Sequence, residues 1–393
     1  MSANDHAKPV LRSDQAIDTG ATWALGTPLQ PSVVYRSPDP DALDAVYEGR
    51  ESGYSYAREG HPNADRLAAM IDGLEGGAGG LMAGSGMGAI TATLLALLAA
   101  GDHVVAGNQL YGRSLRMLTQ DLPRFGVTAS LVDPTETSEV EAALRPETKL
   151  ILVETVSNPT MRVADMEGIT ALAKARGLIL VVDNTFTTPL GYGAWSAGAD
   201  VVIHSVTKLL AGHSDVTLGY VLARDPAHRT AIYDTITTLG LTASPYDCWQ
   251  AERGLYTFAL RYQAAQANAA QLADFLADQT AVAEVLYPGH DGHPDITRAQ
   301  SLLTDGGTML AFRLNGGREE AVRLTRAMPQ IAFAPTLGDV ATVLSHSASS
   351  SHRGLSEEDR QALGITQGFF RVSLGIEPFA HLKSAFAAGL SAV

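Results

Sequence analysis

The sequence predicts an α/β protein: a large, doubly wound, mostly parallel sheet followed by a smaller C-terminal α+β domain. Two observations point there. Strand-like and helix-like runs alternate from about 61 to 258; the runs 179–182 and 201–203 are apolar throughout, and 149–153 is apolar after Lys149. Unbroken apolar runs mark strands buried on both faces, as parallel strands under helices are. After Ser244-Pro245 the alternation gives way to a long helical pattern over 246–278, then strand-like 309–314 and 370–374 with a helix over 318–327. A chain of 393 residues exceeds what one core usually organises. The expected division is an arm over 1–60, a large domain over 61–258 and a small domain over 259–393.

Prolines at 28, 31, 38 and 40 discourage regular structure in the arm, apart from a short helix over 41–51. Tyr54-Ser55-Tyr56-Ala57-Arg58 follows, an aromatic and basic turn. Leu67, Met70, Ile71 and Leu74 share one face of a helix over 64–74. The glycine-rich loop Gly84-Ser85-Gly86-Met87-Gly88 opens onto an apolar helix over 89–100. Backbone N–H groups at such a helix start, unobstructed by side chains, suit an anion. A short strand at Val104-Val105 precedes Asn108-Gln109-Leu110-Tyr111-Gly112; a buried strand over 149–153 leads into Glu154-Thr155-Val156-Ser157-Asn158-Pro159; a helix covers 166–176.

The chemistry concentrates in 178–223. Two β-branched runs there end in polar residues, Asp183-Asn184 and His204-Ser205-Val206-Thr207-Lys208. Ligands of open α/β sheets sit beyond the carboxyl ends of the strands, so Asp183 and Lys208 project toward one crevice. A lysine at the edge of an apolar site can lose its proton and form a Schiff base with an aldehyde. A nearby aspartate can hold a protonated pyridine nitrogen, and Ser205 and Thr207 offer hydroxyls to a phosphate; pyridoxal phosphate (PLP) has all three features. Near the C-terminus, Arg371 lies within an apolar run, where a guanidinium is either ion-paired or binds a carboxylate in bidentate fashion.

These motifs resemble those of the Cys/Met-metabolism PLP-dependent enzymes, the family of cystathionine and methionine lyases and cystathionine γ-synthase. Asp183-Asn184-Thr185, His204 to Lys208 and Gly212-His213 match its lysine signature, and the resemblance runs from about Tyr54 to Gly375. It implies PLP fold type I, the aspartate-aminotransferase-like architecture, with PLP as cofactor. Lys208, Tyr111 and Asp183 become the catalytic residues. Ser85, Gly86, Met87, Ser205 and Thr207 cradle the phosphate, Tyr111 stacks on the ring, Asn158 bonds the ring hydroxyl, and Tyr56 and Arg58 reach a neighbouring subunit's phosphate. Arg371 holds the substrate α-carboxylate, with Asn158, Thr336, Arg113 and Arg116 also facing substrate. A homotetramer is expected.

The chain departs from the family at His61-Pro62-Asn63, at Arg113 where relatives carry a small residue, and at Pro335-Thr336-Leu337-Gly338 and Ala341, where acidic residues are lost. A cation gained and carboxylates lost disfavour a substrate with a distal ammonium group. The expected reaction is carbon–sulfur elimination, giving a 2-oxo acid, ammonia and a thiol. The alternative is γ-replacement on an acylated homoserine. Gly84, Gly86 and Ala89 also satisfy the dinucleotide fingerprint, which leaves a dehydrogenase or a non-enzymatic binding protein as remoter readings. Ser205 to Lys208 fits the S-x-x-K of serine hydrolases, but the partner tripeptides S-D-N and K-T-G do not occur.

Composition bounds the partners. A net charge of −14 argues against nucleic acid. The apolar run over 89–100 is too short to span a bilayer, and the first residues carry no apolar signal region, so a cytoplasmic protein is expected. A single cysteine, Cys248, leaves no intrachain disulfide framework. His290-Asp291-Gly292-His293 reads as a polar loop, and no metal is expected.

Overall fold

The computed structural model describes residues 22, 24–354 and 356–393; residues 1–21 and 23 of the expected arm lie outside them. Seven strands form the first sheet: β1 (Leu81–Ala83), β2 (His103–Gly107), β3 (Thr128–Val132), β4 (Thr148–Glu154), β5 (Ile179–Asp183), β6 (Val201–Ser205) and β7 (Gly219–Ala223). Their order is β1-β7-β6-β5-β4-β2-β3, and β7 alone runs against the rest.

Helices on both faces explain the unbroken apolar runs. Val104, Leu150, Leu152, Val181 and Ile203 pack beneath Ala89, Ile90 and Leu94 of helix Gly86–Leu97 and Ile232 and Ile236 of helix Pro226–Thr238. Their neighbours in sequence, Val105, Ile151, Val153, Leu180, Val182 and Val202, turn to the other face and meet Ile169, Leu172 and Ala173 of helix Met166–Arg176. Successive strand residues point to opposite faces, so both must be apolar when both are covered.

The second sheet holds β8 (Val282–Leu286), β9 (Met309–Leu314), β10 (Ala332–Phe333), β11 (Val343–His346) and β12 (Phe369–Ser373), in the order β10-β11-β12-β9-β8. One face packs Phe312 and Phe370 against Leu272, Leu276, Leu382 and Phe386 of its helices. The other turns toward the first sheet: Met309, Ala311 and Phe369 meet Val156, Met161, Val163 and Phe186. Arg371 sits two residues beyond Phe369 and therefore shares that inward face.

The helical pattern over 246–278 is two helices, Pro245–Leu255 and Phe258–Ala277. Gly254 lies so close to the backbone of Ala211 that a Cβ there would come within 2.2 Å of the Ala211 carbonyl oxygen. The buried Arg261 guanidinium then donates to the carbonyls of Leu209, Leu210 and Gly254, capping the break. Apolar periodicity carries no trace of either contact. The loop expected over 347–351 begins with a 3-10 turn, Ser347–Ser349. Buried Cys248 has its thiol pushed well above the ordinary range by that burial. In the 290–293 loop both ring nitrogens of His293 are committed, Nε2 to the Met161 carbonyl and Nδ1 to the Asp295 N–H.

Asp295 fastens the two sheets together. Its carboxylate accepts from Arg162 Nε at 2.6 Å and Nη2 at 2.9 Å, and from the Val163 N–H at 3.0 Å. Burial opposes the charge, but the Arg162 guanidinium holds the carboxyl below its usual range. This contribution is therefore complete above the ordinary carboxylate range and fades as pH falls through the depressed value. Asp295→Ala is expected to lower unfolding stability at pH 7 by roughly 2–3 kcal/mol, as for a lost charged hydrogen bond. Denaturant melts of both proteins as the pH is lowered check it: the gap should close in acid, and a gap independent of pH removes the ion pair as its cause.

Candidate active site

Strands β4, β5 and β6 run parallel and in register, so their carboxyl ends deliver Glu154, Asp183 and Ser205 to one edge of the sheet. A cavity of about 240 Å³ lies there. The first sheet contributes Ser85, Gly86, Met87, Tyr111, Glu154, Asn158, Asp183, Ser205, Thr207 and Lys208 to its wall; the second contributes Pro335, Thr336, Ser350, Ser351 and Arg371.

Lys208 follows β6, and its Nζ donates to Thr336 Oγ1 at 3.0 Å. Burial, and then the Arg371 charge, hold its amine below the ordinary lysine range. Asp183 ends β5 with Oδ1 accepting from both the N–H (3.1 Å) and the hydroxyl (2.5 Å) of Thr185. Burial raises its carboxyl above the usual range, against the pull of those bonds. Arg371 reaches across from β12. Its Nη1 donates to Asn158 Oδ1 at 2.8 Å and its Nη2 to the Thr336 carbonyl at 2.9 Å, while buried Nε has no partner among the described residues. Burial pushes its guanidinium down to about 10. A buried donor without an acceptor is costly, and a bound carboxylate supplies one.

At the other end, Ser85 caps helix Gly86–Leu97, its Oγ accepting the Gly88 N–H at 2.9 Å. The helix has no internal acceptor for the N–H groups of Gly86 and Met87. Neither nearby glycine tolerates a side chain. A Cβ on Gly86 would lie 2.7 Å from Ser205 Cβ, and one on Gly219 would lie 2.1 Å from the Ser85 carbonyl oxygen. The Thr207 hydroxyl already donates to the Leu218 carbonyl and accepts its N–H, so its hydrogen is occupied.

Four expected residues lie elsewhere in the chain. Arg58 donates to the Thr237 carbonyl and pairs with Glu59 at 2.9 Å, its guanidinium over the Tyr56 ring and away from the cavity. Arg113 and Arg116 line a separate groove with Met117 and Phe125, and Arg116 pairs with Asp121 at 3.6 Å. Sequence reasoning missed Glu154, taken only as the start of a turn, along with Phe186, Ser350 and Ser351. The signal for Glu154 was present: it ends an apolar strand in acid, as Asp183 does.

A lysine with a depressed pKa and a half-buried aspartate share this cavity with helix-start N–H groups that lack an acceptor inside the helix. That arrangement suits an aldehyde cofactor with a basic ring and an anionic tail, and so defines a PLP-type site. The chain belongs to the Cys/Met metabolism PLP-dependent enzymes: residues 9–391 match that family's model. It is 36% identical to a cystathionine beta-lyase of Bacillus subtilis (strain 168), over 95% of this chain and 93% of that one. It is 38% identical to an L-methionine gamma-lyase of Pseudomonas putida, covering 90% and 89%. A cystathionine gamma synthase from Xanthomonas oryzae pv. oryzae, solved in complex with aminoacrylate and cysteine, superposes with a TM-score of 0.91 at 34% identity, covering 98% and 97%.

The cradle gives a direct test. Gly86→Ala is expected to weaken PLP binding to the apoprotein by at least about tenfold, or 1.4 kcal/mol. Titration followed by the cofactor's absorbance measures it, and unchanged affinity excludes this helix start as the phosphate site.

Proposed function

We propose that this enzyme is a carbon–sulfur lyase, releasing a 2-oxo acid, ammonia and a thiol from a sulfur amino acid. The observation that carries the reading is the pairing of Lys208 and Arg371: a proton-accepting amine within the same cavity as a guanidinium that still has an unpaired donor. When bound, PLP supplies an aldehyde that captures amines and a protonated ring that stabilises negative charge on carbon. Arg371 takes the substrate α-carboxylate, anchored from behind by Asn158 and Thr336. This fixes the amino acid with its Cα near Lys208. The Lys208 amine, whose hold on its proton is weakened by burial, takes the Cα proton and later returns one. Thr336 orients it through the 3.0 Å hydrogen bond. Asp183 holds the ring nitrogen's proton, and Tyr111 covers the cavity and assists departure of the sulfur group.

γ-Replacement is the second reading, because the Xanthomonas structure is a synthase. Products separate them. Elimination gives a 2-oxo acid from the sulfur amino acid alone; a thioether formed only when thiol is added means replacement. On the same reading 61–258 is the cofactor domain, 259–393 the small domain, and the enzyme is cytoplasmic. Among the described residues no helix is long and apolar enough to cross a membrane.

The phosphate cradle supports a homo-oligomer, in the form of a tetramer. Lys208 and Arg371 are the only cations on the cavity wall among the described residues, and Arg58 stays outside it. A second subunit's Tyr56 and Arg58 would complete the cradle. Arg58→Ala and Lys208→Ala subunits, each inactive alone, should regain activity when mixed; an active monomer in sedimentation contradicts shared sites. Lys208→Ala alone should lose turnover by about 10²-fold or more, the scale of general acid–base catalysis. Residual activity within about tenfold of wild type would sink the assignment.

Among the described residues the cavity's only acids are Glu154 and Asp183, both at the ends of first-sheet strands. A distal ammonium group therefore meets no further carboxylate on this wall. The kcat/KM for methionine should exceed that for cystathionine. Arg113 lines the neighbouring groove, so Arg113→Gly should leave that preference unchanged, and a narrowed ratio would place Arg113 among the determinants.

A further inference from the structure

Glu154 has no part in the roles above, yet it stands inside the cavity. It pairs with Asp183 across the β4–β5 ladder, so a buried carboxyl and a half-buried one lie side by side in the cavity. Their bonding differs. Asp183 accepts two hydrogen bonds from Thr185 on one oxygen. Glu154 accepts one, at Oε1 from the Tyr111 N–H at 2.7 Å, and its buried Oε2 has no partner. Adjacent buried carboxyls do not both ionise readily, and the better-solvated one keeps the charge.

We propose that Glu154 is a positioning residue of this active site that works as a neutral acid. Oε1 fixes the turn carrying Tyr111, Oε2 bears the hydrogen, and Asp183 is left as the site's one fixed negative charge. The proposal rests on the reading of this cavity as the lyase active site. The protein offers the Oε2 hydrogen no acceptor among the described residues, so its acceptor is the molecule that fills the cavity.

The charged and titratable groups around Glu154 agree. Burial first, then Asp183, push its carboxyl well above the usual range; the Tyr111 N–H and Arg371 pull weakly the other way. Arg371 already has acceptors in Asn158 and Thr336. Lys208 is directed at Thr336. His352, on the far side of Arg371, is pushed down to about 4 by burial and is neutral at pH 7.

The test compares Glu154→Gln and Glu154→Ala holoenzymes with wild type. Glutamine reproduces a neutral acid: its oxygen accepts from Tyr111 and its amide donates where the hydroxyl did. Glu154→Gln should keep kcat within about threefold, whereas Glu154→Ala should lower it at least about tenfold, the scale of a misplaced catalytic group. The wild-type minus Glu154→Gln infrared spectrum should show the carbonyl stretch of an undissociated carboxylic acid at pH 7. Stability gives a readout free of turnover. A group protonated in the folded state and ionised in the unfolded state costs stability as pH rises from the ordinary carboxylate range through its raised value. Wild type should show that decline and Glu154→Gln should not, even where Glu154→Ala fails to fold. A glutamine variant as impaired as alanine, an alanine variant as active as wild type, or absence of the infrared band overturns the proposal. Failure of the lyase reading appears separately, as wild type that releases no 2-oxo acid.

Discussion

The buried guanidinium of Arg371 ties the two sheets into one site. A cation out of water must be met by acceptors, and on the second-sheet side Arg371 is met by the Thr336 carbonyl. The other acceptor is Asn158, on the loop that leaves β4 of the first sheet. Satisfying Arg371 therefore fixes the separation of the sheets at the cavity. Asp295 and Arg162 do the same on the far side of that loop, since Arg162 and Val163 follow Asn158 within a few residues. Between these two bonds the Asn158 loop has no freedom to drift, and the cavity keeps its width.

The first sheet sets the other dimension. In a parallel sheet the carboxyl ends of the strands open on one edge, and whatever residue ends each strand faces the same crevice. Glu154 and Asp183 are ladder partners, and Asp183 is opposite Ile203, two residues before Ser205. Cofactor-facing groups are thus spaced by the ladder and not by flexible loops. The reversed strand β7 brings Gly219 against the Ser85 backbone, where only glycine fits.

How much of this was legible depended on whether a residue's role was local. The apolar runs of β4, β5 and β6 reported double burial directly, and the polar residues ending them reported the crevice. Lys208, Asp183, Ser85, Gly86 and Arg371 were marked by strand ends, a glycine loop or a charge in an apolar run, Asn158 only by the family resemblance, and all meet in one cavity. The break between Leu255 and Phe258 was not legible, because its cause is a contact with residues 209–211, far off in the chain. The short strands β1 and β10 were likewise silent, having too few residues to show a period. Glu154 was legible only in part: its place at a strand end could be read, but its standing opposite Asp183 could not, because pairing across strands is not written in either strand alone. Arg113 and Arg116 show the converse. Comparison with the family pattern suggested the cavity for both, but the helical turn that starts at Gly112 carries them to another groove.

The wall of the cavity is divided in time as well as in space. Every first-sheet residue on it lies between Ser85 and Thr217, and every second-sheet residue lies between Pro335 and Arg371. A ribosome therefore completes one end of the cavity, with its lysine, aspartate and helix start, long before the guanidinium that closes the other end exists. The two ends meet where Gly112 passes the Ser351 carbonyl so closely that a Cβ would come within 2.5 Å. That contact is where the late-made wall seats on the early one, and its fit requires nothing from residue 112 except the absence of a side chain.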